Sequence, residues 1–154
     1  MMTTPRQASF SGTRPMRVFC TDDNALVTEA VRLNIEQEAD FQWVGSAGTA
    51  DDMLVEAERI HLEHQCPDIV LLDIDMPGRD AFEAIGDLQQ ICPEARVLMY
   101  SGLVRRDWIE RAMESGAWGY VAKSDGKMAL LAAMRSAMAD QFALSPEAQR
   151  IFSA

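Results

Sequence analysis

The segment from Asp68 to Asp73 reads DIVLLD, four consecutive large apolar residues closed by a carboxylate at each end. A run that does not alternate with polar residues has no face to offer water, so it belongs to a strand covered on both sides, as central strands of parallel sheets are. Such a strand needs helices above and below it. The rest of the chain supplies them, because short β-branched or apolar runs alternate with longer segments whose apolar residues recur every three or four positions.

Strands are expected at Arg17 to Thr21, Phe41 to Gly45, Asp68 to Asp73, Arg96 to Tyr100 and Gly119 to Lys123. The first helix follows an acidic pair and is striped by Leu26, Val27, Ala30, Val31 and Ile35, with Asp22 or Asp23 a candidate cap. Thr49 with Asp52 three residues on opens the second as in a capping box, and Met53, Leu54, Ala57 and Ile60 face inward. Asp80 with Glu83 caps the third. The fourth, near Val104 to Ser115, buries Ile109, Ala112 and Met113, and Gly116 stops it. The fifth, Gly126 to Asp140, carries Leu130, Leu131, Met134, Ala137 and Met138 on one side. The expectation is an α/β fold, a doubly wound five-stranded parallel sheet with right-handed crossovers.

Residues 1–15 are polar, broken by proline and glycine, and read as a disordered leader, with Met16 an alternative start. Residues 16–140 form the domain. Residues 141–154 read as a C-terminal linker or short helix with Ser145 as N-cap and Pro146 in its first turn. With 154 residues there is no room for a second full domain.

Charge narrows the function. The chain has 24 acidic against 14 basic side chains, a formal net of -10, which argues against these residues gripping a nucleic-acid backbone directly. The three cysteines, Cys20, Cys66 and Cys92, are an odd number without an apolar secretory segment, so buried or half-buried thiols in a reducing cytoplasm are expected rather than a disulfide framework. No apolar run approaches the roughly 18 residues of a membrane helix, so a soluble chain without a membrane partner is expected. His61 and His64 lack a third ligand and read as surface residues. Trp108 reads as core, and Trp118, between Ala117 and Gly119, as an exposed partner contact.

Ligands in open α/β sheets bind beyond the carboxyl ends of the strands. Those ends carry Asp22 and Asp23 after the first strand, Asp73 after the third, Ser101 after the fourth and Lys123 after the fifth. Three carboxylates packed together repel unless a cation holds them, and an all-oxygen set with room for an incoming group suits Mg²⁺. Lys123 supplies a compact positive charge for phosphoryl oxygens, and Ser101 a hydroxyl donor.

Four segments carry a resemblance: the acidic pair Asp22 and Asp23, LDIDMPG from Leu72 to Gly78, YSG from Tyr100 to Gly102, and GAWGYVAK from Gly116 to Lys123. In this order and at strand ends they resemble receiver domains of two-component response regulators, in style those of regulators with helix-turn-helix outputs, over about Met16 to Asp140. The resemblance implies a flavodoxin-like receiver fold with strand order 2-1-3-4-5. It implies that Asp73 is the phosphoacceptor for a histidine kinase or phosphotransfer protein, and that Asp22, Asp23, Asp73 and the backbone carbonyl of Asp75 hold Mg²⁺. It further implies that Lys123 pairs with phosphoryl oxygens, and that Ser101 and Tyr120 form a switch in which the ring moves inward. Phosphorylation is then expected to reshape the surface from Val104 to Lys123 and to drive pairing of two chains there. The C-terminal segment is similar to the linker preceding a DNA-binding domain in that class. The resemblance further implies that Asp75 and Leu103 occupy positions that in this family tune phosphoryl lifetime.

Two departures stand out, the acidic side chain of Asp75 beside the pocket, within reach of the metal or a catalytic water, and the residue after Lys123. Ser124 follows Lys123 where many receivers have proline, and a cis bond without proline costs roughly 3 kcal/mol, so a differently shaped loop is expected. Two rival readings exist. Asp73 and Asp75 after an apolar strand are also similar to the nucleophile motif of haloacid-dehalogenase-type phosphatases. Against that, Pro77 stands two residues after Asp75, the acidic pair has no role there, and the chain is short for a cap domain. A phosphate-independent interaction domain is disfavoured by the complete set of site residues.

Overall fold

The computed structural model describes residues 14–154. Most of the expected leader, residues 1–13, lies outside the described residues. Arg14 does not belong to a loose leader, since its guanidinium grips both carboxylate oxygens of Asp68 at 2.7 and 3.1 Å.

The elements in order are β1 Met16–Thr21, α1 Ala25–Glu36, β2 Phe41–Ala47, α2 Ala50–Leu62, β3 Ile69–Leu72, α3 Ala81–Ile91, β4 Arg96–Ser101 and α4 Arg106–Glu114. They continue with β5 Gly119–Ala122, a 3₁₀ turn Lys123–Asp125, α5 Gly126–Met138, β6 Ala143–Leu144 and α6 Pro146–Ser153. All neighbouring strands pair in parallel, in the order β2-β1-β3-β4-β5-β6. The doubly wound order 2-1-3-4-5 is therefore present, extended by a sixth short strand that the five-stranded expectation lacked.

The unbroken run in β3 does what its composition requires. Ile69, Val70, Leu71 and Leu72 are all fully buried, each contributing about 1.5–3 kcal/mol. They divide by period two between the faces. Val70 and Leu72 join Phe19, Met53, Phe82, Ile85, Leu88 and Ile109 in one core layer, while Ile69 and Leu71 join Val18, Val31, Ile35, Leu130 and Met134 in the other.

Helix starts follow local capping chemistry. Thr49 Oγ1 accepts from the Asp52 amide at 3.1 Å, and Asp80 Oδ1 accepts from the Phe82 and Glu83 amides at 2.8 and 3.3 Å. The cap of α1 is neither acidic residue but Asn24, whose side chain accepts from Leu26 at 3.0 Å. Three stripe residues also fall outside the core: Leu26 is 81% exposed and Met113 45%, and Ala30 is exposed as well. The narrower stripe of α1 is Val27, Val31 and Ile35, four residues apart, which is all that one helix face against a sheet can bury.

Cys66 and Cys92 form a disulfide, with Cα atoms 5.8 Å apart, which corrects the expectation of three free thiols. The reason is topological: α2 and α3 lie side by side over the same face, so the Cys-Pro pairs that end them meet. Only Cys20 is free, and it is buried. Trp118 is not an exposed contact. It is half-buried, and the Arg96 guanidinium stacks 3.9 Å from its ring centroid while pairing with Asp140. Trp108 packs partly buried against the core layer that holds Ile109.

Candidate functional site

The carboxyl ends of β1, β3, β4 and β5 lie side by side, and the chain turns away from the sheet just after each. Two backbone bonds set the acidic residues in place: the Asp22 amide donates to Ala47 at 3.0 Å and the Asp73 amide to Thr21 at 2.9 Å. Asp22 and Asp73 are 3% and 6% exposed, whereas Asp23 faces solvent. Asp22 also accepts from the Asn24 amide at 2.9 Å, which ties the acidic turn to the start of α1. Carboxylate oxygens of Asp22, Asp23 and Asp73 all lie within 4.8 Å of one another, the one such grouping of potential metal ligands among the described residues.

Lys123 reaches into this group. Its Nζ lies 2.6 Å from Asp22 Oδ2 and 3.4 Å from Asp73 Oδ2. One ammonium among three carboxylates leaves the cluster about two charges negative. Burial and then the Asp22 charge push the Asp73 carboxyl above its ordinary range, against the opposing pull of Lys123 and the Asp75 amide. Burial works against the Lys123 charge, but the Asp22 and Asp73 carboxylates outweigh it and hold the ammonium above its usual value. Below them the buried Cys20 thiol is pushed up to about 12, by burial first and the Asp22 charge second, so it stays neutral. The donor set is all oxygen, excess negative and open to solvent at Asp23, which fits a small hard divalent cation such as Mg²⁺.

Ser101 ends β4, is 2% exposed and pairs across the sheet with Ala122, next to Lys123. Its Oγ accepts from the Leu103 amide at 3.1 Å. Tyr120 is fully buried, and its hydroxyl donates to the Leu103 carbonyl at 2.7 Å and also contacts Ser101. Burial pushes the Tyr120 phenol up to about 12. The ring thus sits inward, and the hydroxyls of Ser101 and Tyr120 both meet the backbone of Leu103, at the start of the loop into α4. Asp75 lies exposed beyond β3.

After Lys123 the chain forms the 3₁₀ turn, and no cis peptide occurs among the described residues. Gly126 closes the turn with φ +86°, a conformation that favours glycine. Sequence reasoning missed what surrounds this turn. Ser145 has the position of a helix N-cap, but its side chain makes no cap bond in α6 and instead accepts the Ala122 amide at 2.9 Å. Asp125 caps α6 in its place, accepting the Glu147 amide at 2.9 Å. Nothing local signals that exchange, because it depends on β6 lying beside β5.

The response regulator receiver domain family matches residues 18–135. Among curated proteins the chain is 38% identical over 113 residues to a protein-glutamate methylesterase/protein-glutamine glutaminase of Paramagnetospirillum magneticum, covering 72% of this chain and 28% of that protein. It is 30% identical over 132 residues to the response regulator GacA of Pseudomonas aeruginosa, covering 86% of this chain and 59% of GacA. The chain thus spans less than two thirds of the length of these relatives. Among solved structures it is similar to a LuxR-family two-component response regulator from Aurantimonas, with a TM-score of 0.79 at 29% identity, covering 90% of this chain and 96% of that one. The isolated receiver of RcsB from Salmonella enterica shares the fold, with a TM-score of 0.76 at 17% identity over 89% of this chain and 98% of that one. The family match leaves the haloacid-dehalogenase-type reading without support, and the chain belongs to the response regulator receiver domain family of two-component signalling.

Proposed function

We propose that Asp73 is the phosphoacceptor of this receiver, taking a phosphoryl group from a phosphohistidine on a histidine kinase or phosphotransfer protein. The observation that carries the reading is Lys123 Nζ lying between the buried carboxylates of Asp22 and Asp73, at 2.6 and 3.4 Å. In the transfer an Asp73 oxygen bonds to phosphorus as the phosphorus–nitrogen bond breaks, and the electron pair of that bond stays on the imidazole. A carboxylate carries no proton to remove, so positioning and charge do the work and no general base is needed.

Asp22, Asp23, Asp73 and the Asp75 backbone carbonyl are the residues that would hold Mg²⁺, whose chemistry is to neutralise charge on the phosphoryl oxygens. Lys123 pairs with another of those oxygens and Ser101 donates to one as a hydroxyl. When Ser101 turns toward the phosphoryl group, its contact with the Leu103 amide is exchanged for the new one. Tyr120, bonded to the Leu103 carbonyl, holds the same loop from beneath. The switching element is therefore the segment from Leu103 into α4.

The surface from Val104 to Lys123 is then the place where a second copy or an output partner responds. No direct nucleic-acid contact by these residues is part of this reading, in keeping with the net charge of -10; a DNA-binding domain elsewhere in a longer protein would serve that role. A cytoplasmic setting belongs to the same reading. No helix among the described residues is long and apolar enough to cross a membrane. The chain acts as a switch rather than a turnover enzyme, and the methylesterase name belongs to a longer relative. The test is labelling by acetyl phosphate with Mg²⁺, in which Asp73 gains the phosphoryl group and acetate leaves. Asp73→Asn should abolish labelling, and full labelling of that variant overturns the assignment.

A further inference from the structure

The segment after α5 is built into the site. β6 pairs with β5 through Gly119 opposite Ala143 and Tyr120 opposite Leu144. The fit is close enough that a Cβ on Gly119 would lie 2.4 Å from the Ala143 carbonyl oxygen. At the end of this ladder the next inward amide on β5 is that of Ala122, and it finds the Ser145 hydroxyl, itself only 2% exposed. Two residues past Lys123, Asp125 accepts the Glu147 amide in the first turn of α6. Lys123 is thus flanked on both sides, at Ala122 and at Asp125, by hydrogen bonds to one short C-terminal segment. The other end of α6 meets the switching element: Arg106 in α4 donates to the carbonyls of Phe152 and Ala154 at 2.7 and 3.2 Å and lies 5.2 Å over the Phe152 ring. Ala148 is buried in the same core layer as Tyr120 and Ile109.

We propose that Ser145 and Asp125 are positioning residues for Lys123, and that β6 and α6 form a clamp through which phosphoryl acceptance at Asp73 and the placement of the C-terminal segment are coupled. This rests on the phosphoacceptor reading above. The Lys123 turn carries Ser124, and Ser145 and Asp125 constrain it from outside through the Ala122 and Glu147 amides. Coupling of this kind is reciprocal. Displacing α6 loosens the ammonium that neutralises the phosphoryl group, and a bound phosphoryl group, by tightening Lys123, tightens α6. Whatever follows or binds the C-terminal segment is thereby linked to the site without touching it.

The experiment uses the full chain with acetyl phosphate and Mg²⁺. Ser145→Ala leaves a buried amide without an acceptor and should slow labelling of Asp73 by roughly tenfold or more, the scale of a misplaced catalytic group. Ser145→Thr, which keeps the hydroxyl, should recover most of the rate. Asp125→Ala, at a half-exposed residue, tests the other flank if Ser145→Ala does not fold, and should slow labelling in the same direction. Hydrogen exchange supplies a second readout: amides of α6 should gain protection when the wild-type chain takes beryllofluoride, and that gain should shrink in both alanine variants. Wild-type labelling that is lost in Asp73→Asn, together with wild-type rates in Ser145→Ala or Asp125→Ala and unchanged α6 protection, overturns the clamp alone. Labelling that persists in Asp73→Asn overturns the phosphoacceptor reading first.

Discussion

Replacing Asp73 by asparagine should stabilise the metal-free protein while abolishing its stabilisation by Mg²⁺, and the charges around Asp73 set the scale. At an effective dielectric of about 20, unit charges 4.8 Å apart, the outer limit for the carboxylate group, interact by about 3.5 kcal/mol. At the 3.4 Å separation of Lys123 and Asp73 the figure is about 5 kcal/mol, in the attractive sense. With Asp22 and Asp23 both in that range the repulsion comes to about 7 kcal/mol and outweighs the attraction. Desolvation of an ion costs several kcal/mol on top, and Lys123 keeps its nearer partner Asp22 at 2.6 Å when the Asp73 charge is removed. The balance favours Asp73→Asn by about 1–2 kcal/mol at neutral pH, a rise of roughly 2–8 °C in midpoint for a chain of this size. The sign follows from linkage. A carboxyl whose folded pKa is raised binds protons more tightly folded than unfolded, so the penalty is absent below the unfolded value near 4 and grows as pH rises through the folded one. Urea unfolding of both proteins in EDTA should therefore show a gap at pH 7.5 that closes toward pH 4. With Mg²⁺ at about a hundred times its dissociation constant the wild type should gain about 2.7 kcal/mol and the variant little. A variant no more stable than wild type in EDTA at pH 7.5, or one that keeps the full Mg²⁺ gain, refutes the reasoning.

Three further outcomes follow from other parts of the molecule. Lys123→Ala should leave the fold intact in circular dichroism but reduce the beryllofluoride-induced change in hydrogen exchange from Leu103 to Glu114 by about tenfold, the scale of a lost electrostatic contact in a closed site; a wild-type change would remove Lys123 from the mechanism. The Cys66–Cys92 bond closes a stretch of 26 residues, worth about 3.5 kcal/mol by chain entropy, so a dithiol should lower the thermal midpoint by several degrees and have no effect on a Cys66→Ser, Cys92→Ser double variant. Gly119→Ala puts a methyl 2.4 Å from the Ala143 carbonyl and 2.7 Å from Leu98 Cδ2, and should cost about 1–3 kcal/mol with early loss of amide protection in α6; unchanged protection there would show that β6 does not depend on the close approach.

Much of the molecule is written locally. The DIVLLD run places β3 mid-sheet because four consecutive apolar residues without a polar face have nowhere else to go. Thr49 and Asp80 start their helices with side chains that reach amides two or three residues on. The fold then brings Asp22, Asp73 and Lys123 together, because strands of one parallel sheet end on one rim. The same local signals fail wherever distance along the chain is large. Leu26, Ala30 and Met113 fit a helical stripe, but the sheet covers only part of each helix, and which part depends on the packing.

Taken as a string, the sequence determines the five β-α units, the Thr49 and Asp80 caps and the strand-end chemistry, since each depends on spacings of two to four residues. Tertiary structure alone decided that Cys66 meets Cys92, that Arg96 covers Trp118, and that Ser145 leaves its own helix to satisfy Ala122. Each of those pairs joins segments more than twenty residues apart, and a side chain's periodicity says which way it faces but not what the crossovers will bring to meet it.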